Sequence, residues 1–381
     1  MRRMTRVGLC VASFVVLSGC AESGDKYYRP VAPEDYPKAD GPGEVMEPGE
    51  NETAARIAAI IQAHLERLYP NQPVRRDAHP KAHGCVEATV TVKVEPKAPS
   101  EVKEGIFAAP ASYPAIIRFS SANEDATRSD LEKDGRGMAI KVFGIDKLPQ
   151  PPGSDRPSSQ DFIMINYPTF LVGDGRDYLK LVGYNDADNE LTNLMQPVLV
   201  LASIGWKGTM NAINATSSRI DNPLNTRYWS MVPYQLGLGE KAQAVKYSAA
   251  SCEQKPIVIP QTDDPNYLRH AMQASLSTGS ACMRLMVQPR ASGMSVEDPR
   301  YEWAESEAPF YEVATIDIPK QQFDEAKKNE ACEALSYSPW NALTEHKPLG
   351  AVNRMRKAIY QRIDELRRQT AQEGTAAQTS P

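Results

Sequence analysis

Arg356 and Tyr360 stand one helical turn apart near the end of the chain, and Arg367 follows at a spacing of seven. On a helix, four residues turn ~400° and seven turn ~700°, leaving offsets of ~40° and ~20° in opposite senses. All three side chains therefore share one helix face. A free tyrosine ionises near pH ~10, and a guanidinium one turn away favours the phenolate. A phenolate is a hard anionic ligand suited to ferric iron, and haem held by tyrosine is one known arrangement. Arg367 could then meet a carboxylate such as a haem propionate. The same pattern also fits a solvated basic helix with one half-buried tyrosine.

A second group of reactive types lies near the other end. Arg76-Asp77-Ala78-His79-Pro80-Lys81-Ala82-His83-Gly84 carries two histidines, the side chains best suited to moving a proton near neutral pH. His79 falls in a loop just ahead of a strand, and His83 competes for the same role. Arg118 and Ser120 are two apart on an expected strand and so face the same side, a carboxylate clamp beside a hydrogen-bond partner or else a surface salt bridge.

These residues need elements to hold them. Ile57, Ile60, Ile61, Leu65 and Leu68 predict an amphipathic helix over 54–68. Val86, Ala88, Val90, Val92 and Val94 alternate with polar residues, which predicts a half-buried strand. Further strands are expected over 115–121, 137–143, 162–165, 242–249, 283–288 and 311–318, and helices over 178–182, 264–277 and 351–369. No βαβ rhythm, GxGxxG fingerprint or internal repeat occurs. The pattern predicts an α+β fold with a mostly antiparallel sheet or barrel.

The chain has 381 residues, is 41% apolar and 24% charged, and carries a formal net charge of −5. That supports a sizeable core and excludes an electrostatic nucleic-acid binder, so no nucleic acid is expected as a partner. Residues 1–19 read as a signal peptide: Arg2, Arg3 and Arg6 precede a short apolar stretch, and Leu17-Ser18-Gly19-Cys20 resembles a bacterial lipobox. Cys20 is the expected lipidation site. It would anchor the chain in the bacterial envelope, at the outer membrane facing the periplasm, with the lipid as its sole membrane contact. Residues 20–52 read as a flexible linker, 53–370 as the folded unit and 371–381 as a loose tail. In an oxidising compartment Cys85, Cys252, Cys282 and Cys332 can pair, with Cys252–Cys282 the first choice. Oligomerisation is left open.

Taken in order, the segments resemble the haem catalases and their shorter catalase-related cousins. Arg76xxHis79xLys81 resembles the distal histidine segment, and Arg118-Phe119-Ser120 the strand after it. Asp134-Gly135-Arg136-Gly137-Met138-Ala139-Ile140-Lys141 is similar to the family's Asp-Pro-Arg-Gly-Phe-Ala-Val-Lys. Ser338-Pro339-Trp340-Asn341 resembles the approach to the proximal helix, and Arg356xxxTyr360 the proximal ligand motif.

The resemblance implies an antiparallel β-barrel core with surrounding helices, a C-terminal proximal helix and a buried haem b. It implies Tyr360 as axial iron ligand supported by Arg356, His79 as distal acid–base oriented by Ser120, and Arg76, Arg118 and Arg367 on the propionates. Ile165-Asn166-Tyr167-Pro168-Thr169-Phe170 stands where the family reads Asn-Asn-Thr-Pro-x-Phe. Ile165 takes the place of the distal amide, Asn166 follows one position late, Phe170 matches the channel aromatic, and Tyr178 stands for the haem-stacking phenylalanine. The chain stops soon after Tyr360, so NADPH is not expected. The implied activity is catalase- or peroxidase-like consumption of hydrogen peroxide. The alternatives are a haem isomerase or lyase acting on organic, fatty-acid hydroperoxides, and a non-catalytic haem-binding lipoprotein.

Overall fold

The computed structural model describes residues 26–145, 158–185 and 190–379. Cys20 and the signal segment lie outside the described residues.

Antiparallel strands dominate. The long ones are β1 (Ala82–Val92), β2 (Ala111–Ser121), β3 (Arg136–Phe143) and β4 (Ser159–Ile165). Then come the two-residue β5 (Tyr228–Trp229), the three-residue β6 (Tyr234–Leu236), β7 (Gln243–Ser251), β8 (Ala281–Pro289) and β9 (Tyr311–Ile318). The ladder runs β5-β4-β3-β2-β1-β9-β8-β7-β6, and β5 pairs with β7 as well, closing an eight-stranded barrel; β6 pairs with β7 beside β5, along the same edge. Closure removes the free edges that an open sheet would expose. The alternation expected in β1 is present: Val86, Ala88, Val90 and Val92 are buried, whereas Glu87 and Thr89 are exposed. They join Ile117, Phe119, Ile140, Phe162, Tyr247, Leu285 and Ile316 in one apolar core that fills the barrel.

Among the described residues six α-helices surround it: α1 (Glu50–Leu68), α2 (Gly175–Asn185), α3 (Glu190–Thr216), α4 (Tyr267–Thr278), α5 (Ala326–Ala334) and α6 (Ala351–Thr379). Ala54, Ile57, Ile61 and Leu65 of α1 form a second core with Met355, Ile359, Ile363 and Leu366 of α6. That contact fixes the rotation of the helix carrying Arg356 and Tyr360. Gly205 breaks α3 with φ 68°, a backbone region glycine enters freely. None of the described helices is long and apolar enough to cross a membrane.

The structure moves two boundaries read from sequence. The end of the 20–52 linker is docked, not loose. The Tyr36 hydroxyl donates to Glu50 at 2.9 Å, and Glu44, Glu50 and Glu297 surround the buried Arg354 at 2.5, 2.7 and 3.1 Å. The expected loose tail continues α6 to Thr379. Disulfides join Cys252 to Cys282, the expected pair, and Cys85 to Cys332, which ties β1 to α5.

Candidate active site

Arg118 and Ser120 do share one face of β2. Across the ladder Arg118 sits opposite Ala139, which sits opposite Ile163; Ser120 sits opposite Gly137, which sits opposite Ile165. Directly paired residues point the same way, so these six form one patch on the outer wall of the barrel.

His79 closes over that patch. Pro80 bars the ordinary helical conformation for the residue before it, and His79 takes a left-handed φ of 63°. Such a conformation is costly unless its surroundings impose it, and it recurs at functional sites. The ring is half-buried, with Nδ1 3.1 Å from the Ser120 hydroxyl. Burial, reinforced by Arg118, Arg356 and Arg76, pushes its pKa down to about 3, so the imidazole is neutral at pH 7. His83 goes elsewhere. It is buried against Ser121 at 3.1 Å and Asp130 at 3.7 Å, and burial and then Arg136 hold it well below the usual range. Lys81 is an anchor, with its ammonium 2.8 Å from Asp130.

Arg76, Arg118 and Arg367 come together from the loop before β1, from β2 and from α6. Their meeting point is Glu333, the penultimate residue of α5. Arg76 donates to Oε2 at 2.6 Å and Arg118 to Oε1 at 3.4 Å, and Arg367 donates to the Glu333 carbonyl. Arg118 is almost fully buried, and burial and then Arg76 lower its pKa to about 10. Its Nε and the Tyr337 hydroxyl are buried without a partner.

Tyr360 lies one turn past Arg356 on α6, half-buried beside the α1–α6 core. The Arg356 guanidinium stacks over the Phe170 ring at 5.1 Å, and Phe170 meets Tyr178 edge-on at 6.3 Å. Burial raises Tyr178, with Asp77, Arg356 and Tyr360 acting on it electrostatically. Through Phe170, Arg356 links the α6 face to Tyr178 on α2, and its charge is also felt at His79. The approach to α6 is pinned at both ends. The Ser338 N–H and Asn341 amide donate to Asp161 at 3.0 and 2.9 Å, Lys141 binds the same carboxylate, and the Trp340 indole donates to the Asn353 carbonyl at 2.7 Å. Asn166 closes the end of β4: its Oδ1 accepts from the Arg136 N–H at 2.7 Å, and its own N–H donates to the Arg136 carbonyl.

Two residues gained importance only in three dimensions. A methyl group on Gly137 would lie 2.5 Å from His79 Nδ1 and 2.8 Å from the Ser120 hydroxyl, so only glycine lets the ring rest there. A glycine inside a strand pattern is a signal of close approach. Glu333 carried no local signal at all.

The donor set suits a tetrapyrrole with two carboxylates. Arg76 and Arg118 share the Glu333 carboxylate, Arg367 joins them at the Glu333 carbonyl, and the Arg118 Nε and Tyr337 hydroxyl remain open beside them. The half-buried phenol of Tyr360, two turns before Arg367 on α6, offers an iron ligand.

No family model matches the sequence, and no curated protein does. Solved structures do. A fungal catalase matches with a TM-score of 0.61 and 14% identity, over 89% of this chain and 66% of its own length. Catalase A from Saccharomyces cerevisiae matches with a TM-score of 0.59 and 14% identity, over 88% of this chain and 71% of its own. The chain thus spans about two thirds of the length of these catalases. At 14% identity the likeness is one of fold. On that ground, the chain has a catalase-like α+β fold.

Proposed function

We propose that the protein is a haem-dependent enzyme that consumes peroxide. The carrying observation is that a neutral histidine, held against Ser120 and Gly137, stands on the wall that carries Arg118, that Arg76 and Arg367 converge with Arg118 on Glu333, and that Arg367 shares α6 with Arg356 and Tyr360. Tyr360 would ligate the iron, and Arg76, Arg118 and Arg367 would hold the propionates of haem b. Bound haem would supply a redox-active ferric centre for cleaving a peroxide O–O bond.

The chain's own part is proton handling. With its Nδ1–H donated to the Ser120 hydroxyl, His79 leaves Nε2 free to accept a proton from an arriving peroxide. It then returns that proton to the departing oxygen. Burial keeps the ring neutral and ready to accept. The left-handed backbone and Gly137 limit its freedom to turn away, which preserves the geometry of transfer.

One observation favours organic hydroperoxides over hydrogen peroxide. The Asn166 Oδ1 is engaged by the Arg136 backbone, and the neighbouring wall presents the half-exposed side chains of Ile163 and Ile165. An apolar wall accommodates an alkyl chain better than water.

The two disulfides support an oxidising compartment, in keeping with lipidation at Cys20 and a periplasmic location. The test is to load the protein with haem and follow consumption of hydrogen peroxide and of a fatty-acid hydroperoxide. Consumption of either, abolished in His79→Ala without haem loss, is the expected result. A haem-loaded protein that leaves both intact would overturn the proposal.

A further inference from the structure

Helix α3 turns apolar side chains to solvent on both sides of its break at Gly205. Ahead of the break Val198, Leu201 and Ala202 are exposed, at the three and four spacing of one helix face. After it Trp206 and Ile213, seven apart and so again on one face, are exposed, Trp206 by 71%. Tyr301 joins them, 55% exposed, with the Lys207 ammonium 5.5 Å over its ring. Apolar side chains exposed singly are ordinary on a protein surface, whereas a cluster of them marks an interaction site. Residues 191–220 hold no aspartate or glutamate, and their charges are Lys207 and Arg219 alone, in a chain of net charge −5. Tryptophan and tyrosine beside a lysine, on an acid-free apolar helix, match the membrane–water interface.

The opposite side of α3 is fastened to the body. The Asn211 amide donates to the Phe170 and Arg300 carbonyls, both at 2.9 Å, and Gly208 lets the helix press on the Leu171 carbonyl. Phe170 is the ring over which Arg356 stacks. The start of the chain points to what covers the exposed side. Lys26 comes six positions after Cys20, so the link reaches about 20 Å even when fully extended. Beyond it the chain is fixed: the Tyr27 hydroxyl donates to Glu66 at 2.6 Å, and Arg362 donates to the Tyr27 carbonyl at 3.2 Å. A lipid on Cys20 would thus hold the folded body close to a bilayer, free to settle on its apolar face.

We propose that the exposed face of α3, together with Tyr301, docks on a lipid bilayer surface. The helix lies on the membrane and does not span it. This docking builds on the tethering proposed above and adds a second membrane contact to the lipid of Cys20. It also sets the Phe170 side of the proposed site beside the bilayer, a source of organic hydroperoxides.

The test uses vesicles of phosphatidylethanolamine and phosphatidylglycerol. The protein is the chain from residue 20 with Cys20→Ser, which keeps every described residue and excludes any lipid contribution. It should float with the vesicles, and its tryptophan emission should shift to the blue. The double change Leu201→Ser and Trp206→Ser should weaken binding about tenfold and leave the melting temperature in place, since both side chains are exposed. Val258→Ser, an exposed apolar residue of another segment, should bind like the parent. Absence of vesicle binding by the parent, or equal weakening in Val258→Ser, would overturn the proposal. So would a parent that self-associates without binding vesicles and a double variant that stays monomeric, because the face would then join two copies of the chain. None of these outcomes needs haem, so failure here leaves the peroxide reading to its own test.

Discussion

Gly137 makes room for the ring of His79: any side chain there would press on Nδ1 and on the Ser120 hydroxyl together. The contact links a strand residue with no reactive group to the imidazole that closes over the barrel wall. Gly137→Ala should push the ring off Ser120. A displacement of about 1 Å can cost on the order of a hundredfold in rate. Peroxide turnover per bound haem should fall by about that factor while haem content holds. Unchanged turnover would show that the His79–Ser120 contact is irrelevant.

The proton-handling role proposed for His79 predicts a pH profile unlike that of a free imidazole. Its pKa is near 3, so the ring stays unprotonated through the range where ordinary histidine titrates. Peroxide consumption should stay level from pH 7 to about 4.5 and fall only in stronger acid. A drop centred near pH 6.5 would mean that the ring is solvated and free.

Stability should respond to acid differently. His79, His83 and His346 are each held neutral by burial, His346 also near 3. Their folded pKa values lie below the unfolded value of about 6.5. On acidification through that value the unfolded chain gains protons that the native state refuses. Each histidine then removes about 1.4 kcal/mol per pH unit, until its folded form titrates. Asp77 works the other way: burial lifts it to about 6, so its contribution is present at low pH and lost as pH rises through that value. Three histidines outweigh one carboxyl, so the melting temperature should fall from pH 6.5 towards pH 4. His346→Gln should show a shallower slope. An unchanged slope would contradict the assignment.

Arg354 holds the start of α6 in place. It is fully buried among Glu44, Glu50 and Glu297. Arg354→Met would leave buried carboxylates without their cation, a loss of about 3–5 kcal/mol. Urea denaturation should show that loss, and α6 with Tyr360 should loosen with it.

The legible parts of the chain were those with local pattern. The period-two run of β1 and the spacing of apolar residues in α1 placed those elements. The one-face arrangement of Arg356, Tyr360 and Arg367 follows from helix geometry alone. The two residues of β5 and three of β6 are too short to show a period, yet β5 closes the barrel. Segment 36–49 reads as spacer because it is rich in proline, glycine and acid. Its Glu44 is bound by Arg354, 310 positions away, so the pairing has no local trace. Glu333 was hidden for the same reason, 215 positions from Arg118.

The central claim is that Tyr360 binds iron, and the absorption spectrum of the haem-loaded protein tests it most directly. With the parent chain, ferric haem should give a phenolate-ligated spectrum; Tyr360→Phe should lose the haem or shift its bands. Identical spectra and equal haem retention in the two proteins would contradict the account.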